Sequence, residues 1–508
     1  MNAIKFLKYI GALGLALMVN VSCDDYLEEP LERQRLTENT DYTQTENMVL
    51  LLNGAYANLY NLQWETFPLI SVRGDDVNAG GDQVPLIETD LYQYDRSFWM
   101  YNSTWLNLYG DILTWYATIE ELERYREFAA NPAQADQYIA EIRVMQAWEL
   151  FQLSRLWGSV LIPQSSQPDE LFGTSLSSME EVMEYISAEM DAVIPVLPAV
   201  HPNERTDIPG GITRYTALAV KALANLEAEN YQAVADATGA IISSGEFMLE
   251  PDYYQLFKIP GKLNRENILE LQYSDFGQGS GESRNYLNAF FGPQDWTPAV
   301  AGASAGWGFW EPSLKYVKFM IGRGETERLE TSVLFTNRGI NEIKTDPTYA
   351  TLPDWIDNVT PSGDVINDYS RALFASGKHY LPSNQLTPGR VEYGSNKNFI
   401  AIRYAEILLM HAEALTQGAT SGVLSADEAV NLVRARVSMP PLSGVTLDDV
   451  LDEKYAEFAM EWGIRFYDLV RHNRTEELDY GGRNYVEGED RFLPYPLAQL
   501  DLLPQLQQ

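Results

Sequence analysis

The chain has 508 residues, 72 acidic and 36 basic, with 45% apolar and 21% charged positions. That balance describes a folded, water-soluble protein with a sizeable core and is too apolar for a disordered chain. A net charge of −36 excludes nucleic acid as the main ligand, because phosphate binding needs a basic face that releases counterions.

Residues 1–22 read as an export signal: Lys5 and Lys8 flank its start, an apolar run from Tyr9 to Val19 follows, and Asn20, Val21 and Ser22 lead to Cys23. The run is too short to span a bilayer. Cys23 is the only cysteine, so the chain has no intramolecular disulfide, and its place directly after a small residue marks it as a lipid attachment site. Acyl chains there would anchor by about 0.8 kcal/mol per buried CH2. Asn20 stands where such signals normally carry Leu, and the alternative is a cleaved, unlipidated signal that leaves a free thiol. Removing residues 1–22 takes away two lysines and no acid, so the net charge of −36 becomes −38. Residues 23–40, with Asp24, Asp25, Glu28 and Glu29, form an acidic tether.

A helical period dominates next, over 41–60, 103–128, 135–157, 178–194, 213–229 and 231–244. The last two carry alanines where antiparallel helices must approach closely, as in tetratricopeptide repeats, and a second such pair covers 402–417 and 426–437. Between them, from about 250 to 398, Gly, Pro, Asn, Ser and aromatic residues cluster without sustained helical period. Long irregular stretches rich in large rings are functional surfaces rather than linkers. The expected architecture is therefore all-α: one domain over 41–508, with a tetratricopeptide-like helical-repeat scaffold at about 41–249 and 399–475 and a loop-rich ligand lobe at about 250–398.

Several segments, in order, resemble the SusD/RagB family of outer-membrane nutrient-binding lipoproteins of Bacteroidetes. They are CDDYLEEP at 23–30, YIAEIRVMQAWELFQLSRLWG at 138–158 leading to SVLIP, and TRYTALAVKALANL at 213–226. IRYAEILLMHAEAL at 402–415, EFAMEWGIRFYDLVR at 457–471 and LPYPL at 493–497 complete the set. The resemblance implies a lipid-anchored protein facing the cell exterior, a lid over a SusC-like TonB-dependent transporter, and binding of oligosaccharide or polysaccharide without catalysis. It leaves the ligand open, and a peptide or protein-fragment receptor, as in the RagB branch, is the alternative. The pairs Glu461 with Arg465, Glu457 with Glu461, and Arg403 with Glu406 read as structural pairs on packed helices.

A sugar presents flat C–H faces rimmed by hydroxyls, so a glycan site needs exposed rings beside carboxylates, amides or Arg. Trp296, Trp307 and Trp310, in the weakly charged stretch 292–312, are the expected platforms, with local core as their other reading. Trp99 and Tyr101, in a loop before the helix at 103, are placed to meet the same face. Trp105, Trp115, Trp148 and Trp157 fall at helical spacing and read as core. The loop VRGDDVNAGGD at 72–82 gathers Arg73, Asp75, Asp76 and Asn78, with Asp75 and Asp76 as hydroxyl acceptors. Calcium is their competing ligand, although the loop lacks the EF-hand spacing and terminal Glu. Arg390 and Tyr393, before the helix at 402, are further ligand candidates. No other cofactor is expected, since His-Glu-x-x-His, paired cysteines and a phosphate-binding glycine loop are all missing.

GASAG at 302–306 matches the Gly-x-Ser-x-Gly nucleophile elbow, with His379, His411 and His472 following Ser304. No strand, serine, helix passage or α/β alternation surrounds it, so a serine hydrolase is the least favoured of the three readings.

Overall fold

The computed structural model describes residues 40–277, 282–387 and 394–507. The export signal, Cys23, most of the acidic tether, Arg390 and Tyr393 lie outside the described residues.

In chain order the first helices are α1 (Met48–Asn58), α2 (Thr66–Ser71), α3 (Val84–Asp90), α4 (Trp99–Phe128), α5 (Pro132–Trp157), α6 (Met179–Val193), α7 (Arg214–Glu227) and α8 (Tyr231–Ser244). The stretch that follows holds short helices α9 (Tyr253–Leu256), α10 (Leu287–Phe291), α11 (Leu314–Arg323), α12 (Glu327–Ser332) and α13 (Asn337–Ile343). Long helices return with α14 (Tyr404–Thr416), α15 (Ala426–Arg436), α16 (Leu447–Phe458) and α17 (Ile464–Arg471), and α18 (Leu497–Leu502) lies near the end. Strands are short and pair in antiparallel twos. β1 (Val77–Ala79) pairs with β6 (Trp310–Pro312), β2 (Val160–Leu161) with β3 (Leu176–Ser177), and β4 (Asn267–Leu271) with β10 (Phe399–Arg403). β5 (Trp296–Thr297) pairs with β8 (Val365–Ile366), and β7 (Val333–Phe335) with β9 (Phe374–Ser376). The molecule is mostly helical, as its periodicity predicts.

Helices α4 to α8 stack each on the next, and α8 then packs directly on α14, which packs on α15 and α16. The two alanine-rich pairs thus form one continuous layer although the loop-rich stretch separates them in sequence. Close approach at the junction needs small residues: a Cβ built on Gly239 of α8 would lie 3.7 Å from the His411 ring of α14, and Thr238 Oγ1 meets His411 Nδ1 at 2.8 Å. Capping boxes start α6 (Ser178 with Glu181), α15 (Ser425 with Glu428) and α16 (Thr446 with Asp449), satisfying amide groups that the first turn leaves unpaired. Trp105, Trp115, Trp148 and Trp157 are buried along α4 and α5. None of the described helices is long and apolar enough to cross a membrane.

Two sequence expectations change here. Helix α4 starts at Trp99, four residues before the expected start, and α11 is a regular helix inside the loop-rich stretch. The expected ionic pairs are also rearranged. Glu461 and Arg465 do not share a helix, because the chain turns between α16 and α17 with positive φ at Met460, Trp462 and Gly463. Arg403 does not pair with Glu406. Its guanidinium reaches Glu266 at 3.0 Å, Glu461 at 2.9 Å and also Glu457. Arg436 joins Glu266 at 2.8 Å and Glu457, and Arg328 joins Glu453 at 2.7 Å and Glu457 at 3.2 Å. Lys378 closes on Glu461 at 2.6 Å. These charges are buried together where the inserted stretch meets α14 to α16. Burial works against their ionisation, but the surrounding guanidinium groups hold Glu457 far below the ordinary carboxylate range.

Candidate functional site

The loop-rich stretch presents one aromatic face. Trp307 and Phe309 are half-buried on the segment that enters β6, with ring centroids 5.4 Å apart. Both rest on Phe290 of α10, at 5.4 Å and 5.9 Å, the Phe309 ring nearly parallel to it. Phe290 in turn contacts Trp64 at 4.9 Å, and Trp64 lies 5.0 Å from Tyr286. Trp64 comes from the turn between α1 and α2 and is 36% exposed.

The backbone fixes this face. Trp307 N donates to Ala289 O at 2.7 Å, Phe309 N to Phe290 O at 2.9 Å, and Gly80 N to Phe309 O at 2.7 Å. The Gln294 amide donates to Trp307 O at 2.6 Å. Such contacts require glycine: a Cβ on Gly306 would stand 2.6 Å from Gly292 O and 2.7 Å from Asn288 O, and one on Gly80 would stand 2.6 Å from Gly308 O. Backbone cannot yield at those distances. The glycine at 306 is therefore a packing requirement of the platform.

Beside the rings lies an open hollow of about 610 Å³, lined by Trp307, Phe309, Asp82, Gln83, Gln294, Asp295, Tyr369 and Arg371. Asp295 Oδ1 accepts from Asn367 Nδ2 at 3.0 Å, and Asp82 Oδ1 from Gln83 Nε2 at 3.2 Å. Flat rings with carboxylates, amides and a guanidinium at their edge can stack on an apolar face and exchange hydrogen bonds with hydroxyls around its rim.

Of the expected site residues that the structure describes, only Trp307 lines this hollow. Trp310 is 1% exposed, stacked on Phe291 at 4.0 Å and edge-on to Phe67 at 5.2 Å. Trp296 is 8% exposed and packs edge-on to Tyr380 at 5.9 Å, among Leu334, Ile366 and Ala375. Both are core, because a stretch with little helix still needs large rings to fill it. Trp99 is 53% exposed at the start of α4 but lines no part of the hollow, and Tyr101 is buried with its hydroxyl 2.7 Å from Thr89 Oγ1.

Asp75 and Asp76 are not hydroxyl acceptors: both are buried and engaged. Asp75 takes the Arg465 guanidinium on both oxygens, at 2.7 Å and 3.2 Å, and Lys315 Nζ lies 2.7 Å from Oδ2. Burial opposes its charge, yet those two cations hold it below the usual range. Asp76 Oδ2 accepts from Met460 N at 2.6 Å, and burial, with Asp75 beside it, pushes Asp76 up to about 6. Arg73 donates to Arg491 O and Tyr467 OH and covers the Phe466 ring at 4.3 Å. Asn78 accepts from Arg483 and Tyr480. This loop therefore ties the segment between α2 and β1 to α16 and α17, with Asp75 already paired to two cations. Among the described residues, no group of three or more His, Cys, Asp or Glu has metal-holding geometry.

Ser304 sits in an irregular segment between Gly302 and Gly306, with neither strand before it nor helix after it. The segment is pinned by Ala299 N to Asp364 and Val300 N to Ser383 Oγ. The three histidines face other groups: His379 meets Ser376 Oγ at 2.7 Å, His411 meets Thr238, and His472 meets Glu413 at 2.8 Å.

The residues at the hollow that sequence reasoning missed are Asp82, Gln83, Gln294, Asp295, Phe309, Tyr369 and Arg371, with Trp64 packed on Phe290 beside them. Trp64 carried the only available signal, a lone tryptophan in a polar turn between two apolar helices.

Comparison with known proteins shows what the chain is similar to. The SusD family profile matches residues 265–508. A SusD-like protein of Bacteroides ovatus is 23% identical, over 90% of this chain and 81% of its own length. SusD-like protein P2 of Formosa agariphila is 24% identical, over 97% of both chains. Among solved structures, a laminarin binding SusD-like protein superposes with a TM-score of 0.74 at 22% identity, over 90% of this chain and 97% of its own. Surface glycan-binding protein A from Bacteroides thetaiotaomicron, in complex with laminarihexaose, gives 0.72 at 21% identity, over 91% and 98%. By profile, sequence relatives and fold together, this chain is similar to proteins of the SusD family, with the profile match confined to residues 265–508.

Proposed function

We propose that the protein binds oligosaccharide or polysaccharide at the cell surface and hands it to a SusC-like TonB-dependent transporter. The observation that carries this reading is the braced pair Trp307 and Phe309 at the edge of a hollow rimmed by Asp82, Asp295, Gln83 and Arg371. Stacking on Trp307 holds a sugar face, and the rim groups pair with hydroxyls. The laminarin and laminarihexaose binding of two proteins of this fold supports a glycan over a peptide as the ligand class. Lipidation at Cys23 holds the protein to the outer membrane, facing out.

Affinity electrophoresis of residues 24–508 through gels containing different polysaccharides tests the reading. Retardation by at least one glycan, lost on Trp307→Ala, is the expected result. Free migration in every gel, together with heat on mixing with a peptide library, moves the protein to the peptide-receptor class. For the anchor, Cys23→Ser should shift the protein from the membrane fraction to the soluble one.

A further inference from the structure

Resting on the glycan reading above, we infer that the hollow at Trp307 selects neutral, hydroxyl-rich chains and rejects sulfated or uronate-bearing ones. Its charged groups are Asp82, Asp295 and Arg371. Each aspartate has one oxygen engaged by a neutral amide, Gln83 for Asp82 and Asn367 for Asp295. Among the described residues the second oxygen of each has no side-chain partner. These are acceptors that a hydroxyl satisfies and an anion does not.

The cations that would favour an anion are committed elsewhere. Arg73 is buried and spends its donors on Arg491 O and Tyr467 OH. Arg338, an exposed residue, donates to the carbonyls of Tyr369 and Ser370. Among the described residues only Arg371 at the hollow is a cation without a side-chain partner. One guanidinium among two carboxylates suits a sugar ring, whose hydroxyls both donate and accept. A sulfate seated on Arg371 would instead lie beside two like charges, and that repulsion is only partly screened at contact distance.

The test uses matched pairs that differ in charge alone: laminarin, galactomannan and arabinoxylan, each against its sulfated derivative, with the chain 24–508 in affinity gels and calorimetry. Any neutral parent that binds should lose at least about tenfold on sulfation, and its affinity should be flat between low and high salt. In Asp82→Asn with Asp295→Asn, the gap between parent and sulfated chain should shrink. Equal or tighter binding of a sulfated member, falling with salt and lost in Arg371→Gln, overturns the inference while the glycan reading stands. A charge gap undiminished in the double variant overturns it too, since the carboxylates would not be its source. Binding of no member of any pair removes the glycan reading itself, and this inference with it.

Discussion

Replacing Trp307 by Ala separates a binding role from a packing role. The ring is only partly exposed against Phe290 and Phe309, so no more than about a third, roughly 70 Å², of a ring that buries about 150–250 Å² in full is open to a sugar. At about 25 cal/mol per Å² that contact is worth about 2 kcal/mol, or about 30-fold in Kd. Loss of the buried part should cost about 2–3 kcal/mol of stability, about two thirds of the usual figure for a fully buried tryptophan. In a protein of this size that lowers Tm by only a few degrees. Calorimetric titration with the retarding polysaccharide, alongside thermal unfolding, reads both numbers. Trp307→Phe, which keeps a flat face, should fall between wild type and Ala. Affinity within twofold of wild type in the Ala variant would refute the platform, and so would a binding loss that appears only with collapse of Tm.

Gly306→Ala forces a Cβ to 2.6 Å from Gly292 O, so the segment must move and carry Trp307 with it; binding should weaken about as much as in Trp307→Ala. Gly302→Ala, at φ +94° but with nothing within 4 Å of the new Cβ, should cost about 1 kcal/mol and leave binding intact, and equal binding in both variants would refute the argument. Arg403→Met leaves Glu266, Glu457 and Glu461 without their shared cation, which should cost about 3–5 kcal/mol; a denaturant midpoint unchanged from wild type would show the buried charges to be independent of it. Burial pushes the Asp111 carboxyl up to about 7 from 3.8, so the stability it contributes is full below pH 4 and lost as pH rises through 7. Asp111→Asn should therefore melt above wild type at pH 8, with the gap closing toward pH 5. A gap independent of pH would mean that Asp111 does not titrate in this range.

The helical scaffold was legible because its signals are local. Alanine spacing in α7 and α8 and the helical spacing of Trp105, Trp115, Trp148 and Trp157 each act over a turn or two. The site was much less so. Whether a tryptophan in a glycine-rich stretch is platform or core depends on partners far along the chain: Trp310 is buried because Phe67 and Phe291 converge on it, and nothing near residue 310 announces Phe67. Asp75 and Asp76 misled for the same reason, since Arg465 lies 390 residues away in sequence. A polar glycine loop that closes on its own would look identical. The Gly-x-Ser-x-Gly pattern was misleading in a different way, because Gly306 answers to a backbone contact across the loop rather than to a nucleophile's turn.

Direct docking of α8 on α14 also bears on how the chain folds. Thr238 and His411, which meet there, are 173 residues apart, and closing a flexible loop of that length costs about 4–5 kcal/mol of chain entropy. Pairing β4 with β10 first, bridging Leu271 to Phe399, meets most of that cost in one step, after which Arg403 leads directly into α14 at Tyr404. The lobe that carries the platform would then be the clasp that lets the helical layer close. Variants that weaken the β4 and β10 ladder should slow refolding by nearly the whole of their stability loss and leave the unfolding rate almost unchanged.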